Sequence, residues 1–328
     1  IRYTGLWLAA ALLAAGCNKA TPPAEVSLGE VRDVSQVMSR VDTCLREGDT
    51  NGALEVLGQA IGDTAYAQNR SWLFTQTLNI LISADRADEA QARYLGLVGK
   101  DEELTRVGFG VLCGYHQGKG GDAFETWIRQ MIPLPLPQDL LTQIYAWQIS
   151  VFRARGQWDK IGELAPDCIR KFDAGVYRQL LGDPVLAELS AGRYDQAGKI
   201  LDALEKNAGS NQTLKDLIAI ERTDILFQRG DWPGAEQRFV AVAGGLSDGE
   251  LAGWVPRVIG GCIRQKQLDL ADRLCDVVLK GPKEKIAAKD QAAAPWIEVA
   301  KARQDTAAIP VRLETLRGLG VSPQVLLD

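Results

Sequence analysis

The sequence predicts an all-α chain of repeated helix–turn–helix units, on three observations. Ala191-Gly192-Arg193-Tyr194-Asp195-Gln196-Ala197, Arg229-Gly230-Asp231-Trp232-Pro233-Gly234-Ala235 and Arg155-Gly156-Gln157-Trp158-Asp159-Lys160-Ile161 share one pattern. Each has a glycine, an aromatic two positions on, and a small or apolar anchor five positions after the glycine. Extending that register gives anchors at Ala53, Ala90, Ala123, Ile161, Ala197, Ala235, Ala271 and Ala308, separated by 37, 33, 38, 36, 38, 36 and 37 residues. A period in this range belongs to stacked helix pairs. No alternating apolar pattern with hairpin turns accompanies it.

The elements follow from the register. The glycine five before the anchor recurs as Gly48, Gly118, Gly156, Gly192 and Gly230, and is replaced by Asp85, Lys266 and Arg303. It turns the chain between the two helices of a pair, because glycine accepts the left-handed conformation. The small anchor lets the two helices approach. Sixteen before it, on the first helix, stand Val37, Phe74, Val107, Tyr145, Leu181 and Val255. Four after it, one turn along the second helix, stand Leu57, Tyr94, Trp127, Leu201, Phe239 and Cys275. In the fifth unit Gly182-Asp183-Pro184 predicts a helix that Asp183 caps and Pro184 restarts. In the eighth, Pro295 and Pro310 fall inside both expected helices. Ile132-Pro133-Leu134-Pro135-Leu136-Pro137 cannot be helix interior, and reads as the turn between the third and fourth units, with a semi-rigid break as the weaker alternative.

Composition narrows the role. The 328 residues carry 37 Lys and Arg against 42 Asp and Glu, a net charge of −5, which argues against a nucleic-acid partner. His116 is the sole histidine, which strips the chain of most acid–base and metal chemistry. The six cysteines, at 17, 44, 113, 168, 262 and 275, show no Cys-x-x-Cys spacing. Gly118-Lys119-Gly120-Gly121 has the look of a phosphate loop, but it falls in an intra-repeat turn with no preceding strand. These features predict no enzyme, no cofactor and no metal site.

The repeat resembles the tetratricopeptide repeat (TPR) over roughly residues 34–322. The resemblance implies a right-handed α-solenoid of about eight stacked TPR-like units, with the first helices lining a concave groove. The Leu-Gly pair of that family is largely absent from the first helices, so the copies are divergent. Residues 1–17 carry one charge, Arg2, then an apolar run from Gly5 to Ala15, and end in Leu13-Ala14-Ala15-Gly16-Cys17, which resembles a bacterial lipobox. That resemblance implies a signal peptide over 1–16, a lipidated Cys17, and a tether over 17–33. Asn18 after the cysteine implies an outer-membrane anchor facing the periplasm. Residues 323–328 are left as a tail.

Within the resemblance, the side chains pointing into the groove lie 18, 15, 11, 8 and 7 residues before each anchor. They include Trp72, Asn79, Tyr115, His116, Gln143, Arg153, Gln179, Asp224, Phe227, Gln228 and Arg264. Phe227 is the one of these that packing between repeats would also explain. Cys262 and Cys275 occupy repeat positions that face each other across a helix pair, and an oxidising periplasm permits a disulfide between them. The expected function is a lipid-anchored scaffold holding a protein or peptide in the groove, in envelope, pilus or secretion assembly. A helical enzyme with an unrecognised site, or a purely structural self-associating repeat protein, are the alternatives.

Overall fold

The structure, a computed structural model, describes residues 33–322 and residue 324. The expected leader, Cys17, nearly all of the tether and most of the tail lie outside the described residues. Among the described residues there are sixteen α-helices, one 3-10 turn over Thr64–Asn69, and no strand. The chain divides into two compact units, residues 1–127 and 128–328.

The first unit holds α1 (Val34–Arg46), α2 (Thr50–Gly62), α3 (Arg70–Ser83), α4 (Ala87–Leu95), α5 (Glu102–Lys119) and the start of α6 (Gly121–Met131). Aspartates begin several of these helices. Asp33 accepts from the Ser35 amide, Asp49 from Gly52 and Asp101 from Leu104, each satisfying a donor that the helix leaves free. Val37 and Val41 of α1 close on Ala53, Leu57 and Ala60 of α2, with Tyr66 and Leu73 completing the cluster. Gly108 of α5 lies where a β-carbon would stand 2.8 Å from the Tyr94 ring and 3.0 Å from the Phe74 ring. That absence of a side chain lets α3, α4 and α5 meet.

The second unit begins late in α6 and continues with α7 (Gln138–Ala154), α8 (Trp158–Lys171), α9 (Ala174–Ser190), α10 (Tyr194–Asn207), α11 (Gln212–Arg229), α12 (Trp232–Ala243), α13 (Asp248–Arg264), α14 (Leu268–Leu279), α15 (Ile286–Ala302) and α16 (Ala308–Gly318). The odd-numbered helices pack on one another in order, α7 on α9, α9 on α11, α11 on α13 and α13 on α15. Among the even-numbered ones, α8 packs on α10 and α12 on α14. A capping box at Ser247 and Glu250 starts α13.

Each of the eight helix pairs turns through a residue with positive φ. Five are glycines: Gly48, Gly120, Gly156, Gly192 and Gly230. Asp85, Lys266 and Gln304 reach φ of 59°, 61° and 60° with side chains in place. Six anchors are fully buried: Ala53, Ala90, Ile161, Ala197, Ala235 and Ala271.

The third and eighth repeats correct the expected register. Ala123 is exposed, and the buried side of α6 carries Phe124, Trp127, Ile128 and Met131. The turn residue is Gly120 rather than Gly118, so the helix begins later and Phe124 takes the inward position. Gly108, not Val107, then stands sixteen before the anchor. In the last repeat the turn falls on Gln304 rather than Arg303, and Ala308 is half-buried.

Proline also behaves differently from expectation. α9 runs unbroken through Pro184, whose ring is buried, and Asp183 does not restart it. Pro295 lies within the continuous α15. Pro310 is the third residue of α16, in the first turn, where backbone N–H groups have no intrahelical acceptor to lose. Ile132–Pro137 is non-helical, as the sequence requires. The expected disulfide is not formed. Cys262 and Cys275 are free thiols buried in the second unit's core, where they fill space as small apolar side chains. Burial pushes the Cys262 thiol up to about 11 and raises the Cys275 thiol as well, which disfavours the thiolate of both.

Candidate functional site

In the second unit, pockets open along the packed odd-numbered helices. Between α7 and α9 a pocket of about 180 Å³ is lined by Ile149, Ser150, Arg153, Leu180, Asp183 and Pro184. Across α9, α11 and α13 a wider one of about 600 Å³ is lined by Arg178, Leu217, Glu221, Glu250, Trp254 and Arg257, with Gly175, Gly249 and Gly253 opening its walls. Toward the C-terminal ends of α11 and α13 a third, of about 170 Å³, is lined by Asp224, Phe227, Gln228, Trp232, Arg257 and Arg264.

An ion network runs along the same helices. Glu188 of α9, with a 3% exposed side chain, takes Arg193 at 2.5 Å and Arg153 of α7 at 3.6 Å. Arg178 of α9 pairs with Glu250 of α13, which also closes the capping box. Arg257 of α13 serves two carboxylates of α11, Asp224 at 2.6 Å and Glu221 at 3.3 Å. The indole N–H of Trp254 donates to Asp224 at 2.8 Å. The second oxygen of Glu221, Oε2, is buried and has no hydrogen-bond partner.

Burial sets the electrostatics. It raises the Glu221 carboxyl to about 7, against the pull of Arg257 and with the added push of Asp224. It drives Asp224 upward as well, opposed by Arg257 and Trp254. Burial also pushes Glu250 upward, but Ser247 and Arg178 outweigh it and hold this carboxyl below its usual range. Two buried carboxylates therefore share one guanidinium, and burial disfavours the ionised form of both.

The groove residues named from sequence divide by unit. In the first unit Trp72 is 42% exposed and Asn79 is exposed. Tyr115 meets His116 edge-on at 5.0 Å, and His116 stacks on Trp127 at 4.9 Å. Burial and the nearby Lys119 lower the His116 pKa. In the second unit Arg153 lines the first pocket, and Asp224, Phe227, Gln228 and Arg264 gather around the third. Gln143 and Gln179 are exposed on α7 and α9. Phe227 is 8% exposed and joins the core cluster, which is the packing role its apolar ring allowed.

Sequence reasoning missed Arg178, Glu221, Glu250, Trp254 and Arg257. A signal existed for two of them. Glu221 and Arg257 stand fourteen residues before Ala235 and Ala271, the same repeat position carrying opposite charges in successive units. That position lies outside the offsets used to choose groove residues.

Among the described residues no group of His, Cys, Asp and Glu could hold a metal ion, and no helix is long and apolar enough to cross a membrane. No protein-family model matches the chain, and no curated protein matches it.

Proposed function

We propose that this chain is a right-handed TPR-like α-solenoid that scaffolds an envelope, pilus or secretion assembly by holding a protein or peptide segment along its first helices. On this reading Cys17 is lipidated and anchors the chain to the outer membrane, facing the periplasm. Eight helix pairs with a positive-φ turn, six of them with a fully buried anchor, support the repeat reading. The observation that carries the binding role is the row of pockets on α7, α9, α11 and α13, where apolar walls alternate with charged groups. Such a mixture suits an extended segment, with side chains seated in pockets and polar groups fixing its register.

Gly253 offers a test that spares the fold. It sits inside α13 on the wall of the widest pocket, and a β-carbon there would meet nothing within 4 Å. Gly253→Gln should fill the pocket mouth while improving the helix by about 0.5–1 kcal/mol. The expected result is an unchanged or raised Tm with at least tenfold weaker capture of the partner that the unaltered chain draws from solubilised envelopes. Undiminished capture would place binding elsewhere.

The anchor is tested separately. Cys17→Ser should move the protein from the membrane to the soluble envelope fraction, because a serine offers no thiol for the lipid. A serine variant that stays with membranes at its mature mass would contradict lipidation.

A further inference from the structure

The widest pocket contains a specific chemical demand. Glu221 has a side chain 3% exposed, and its Oε2 accepts nothing. A buried oxygen of this kind leaves a full hydrogen bond unmade, which is costlier than the bond itself is worth in the folded chain. The groups facing it are Asp224 on its own helix, Arg178 on α9, and Arg257 and Glu250 on α13. Asp224 opens on the neighbouring pocket but draws on the same Arg257, so with all ionised Glu221 and Asp224 share one guanidinium while Glu250 holds the other, and Glu221 has no full counter-charge of its own. Both arginines are already engaged, Arg178 with Glu250 and Arg257 with Asp224 and Glu221. An anion entering here would have to displace an existing carboxylate.

We propose that this pocket seats a lysine or arginine side chain of the bound segment, with its cationic head donating to Glu221. The proposal rests on the groove reading above and specifies what that groove recognises. Arg257 supplies the room for it. Its side chain is 44% exposed, and its contact with Glu221, at 3.3 Å, is the longer of its two. Turning fully to Asp224 gives up only the weaker contact and frees the Glu221 carboxylate for the incoming cation. The Leu217 side chain and the Trp254 ring line the approach and accommodate the aliphatic stem of such a residue. Because burial holds Glu221 near the middle of the physiological range, an entering cation favours the ionised form, and its affinity rises as pH increases through about 7.

Selection of random displayed peptides on the immobilised full chain tests this. The expected result is enrichment of Lys or Arg at one position. Replacing that residue by norleucine should weaken the selected peptide about tenfold, and Glu221→Gln should have a similar effect. Glu221→Gln keeps the shape and the acceptor for Arg257, so its helical content should match the parent and its melting temperature should be no lower. Affinity for the parent chain should increase from about pH 6 to about pH 8 and stay flat for the variant. Peptides that bind, lose affinity with Gly253→Gln, and show no basic preference would overturn the cationic seat while leaving the groove in place. Selection of acidic peptides or free C-termini would overturn it in favour of anion capture by Arg178 and Arg257. If the chain selects nothing, the groove and the seat fall together.

Discussion

Gly162→Val is expected to destabilise the second unit by about 3 kcal/mol or more, the range of severe overpacking. Gly162 follows the anchor Ile161 on α8, and a β-carbon there would lie 2.3 Å from the Ala203 carbonyl oxygen and 2.6 Å from its carbon. Those atoms are backbone of α10, so no side chain can swing aside. The two helices must separate, and the fully buried Ile161, Ala165, Cys168 and Leu201 lose their close packing. Gly198 on α10 is the matched control. A β-carbon at that position meets nothing within 4 Å, so Gly198→Ala should stabilise the helix by about 0.5–1 kcal/mol. Chemical unfolding followed by circular dichroism checks both. The loss should appear first in transitions of the second unit, which holds both helices. Equal stabilities for the valine and alanine variants would mean that α8 and α10 are not held this close.

The second large effect is a pH dependence owed to Glu221. Its carboxyl titrates near 7 when folded and near its ordinary 4.5 when unfolded. Between those values the unfolded chain binds fewer protons than the folded one, so unfolding free energy falls as pH rises from about 4.5 to 7. A shift of this size corresponds to up to about 3 kcal/mol. Glu221→Gln should abolish that part of the slope. The variant should match the parent near pH 5 and exceed it by about 1–3 kcal/mol near pH 8. Parallel stability curves for the two proteins would show that Glu221 carries no burial penalty. The expected gain in stability is opposite in sign to the expected loss of cationic-peptide affinity, which separates a binding role from a structural one.

The helix pairs were legible because their determinants are local. A turn glycine and a small anchor at a fixed separation impose the same backbone wherever they recur, and Gly48, Gly156, Gly192 and Gly230 all adopt the conformation that their type favours. Asp85 and Lys266 show the limit of that rule. The repeat context forces them into a conformation their side chains disfavour, and only their position in the period marks them. The third repeat was misjudged by one residue because Gly118, Gly120 and Gly121 all offer a turn. The apolar side Phe124, Trp127, Ile128 and Met131 chose among them by what it could bury.

The sequence by itself determined the all-α class, the helix pairing, six buried anchors (Ala53, Ala90, Ile161, Ala197, Ala235 and Ala271) and the single histidine. These follow from periodicity and composition, which need no partner element to take effect. Tertiary structure alone decided that α9 runs through Pro184, that Cys262 and Cys275 pack as free thiols, and that Phe227 joins the core while still edging the third pocket. It also decided that Glu221 loses its water while Arg257, one repeat along, keeps part of its own. A charged residue in a helical pattern reads as solvated until a neighbouring helix covers it. Burial depends on residues contributed by α9 and α13, and no spacing within α11 could reveal it.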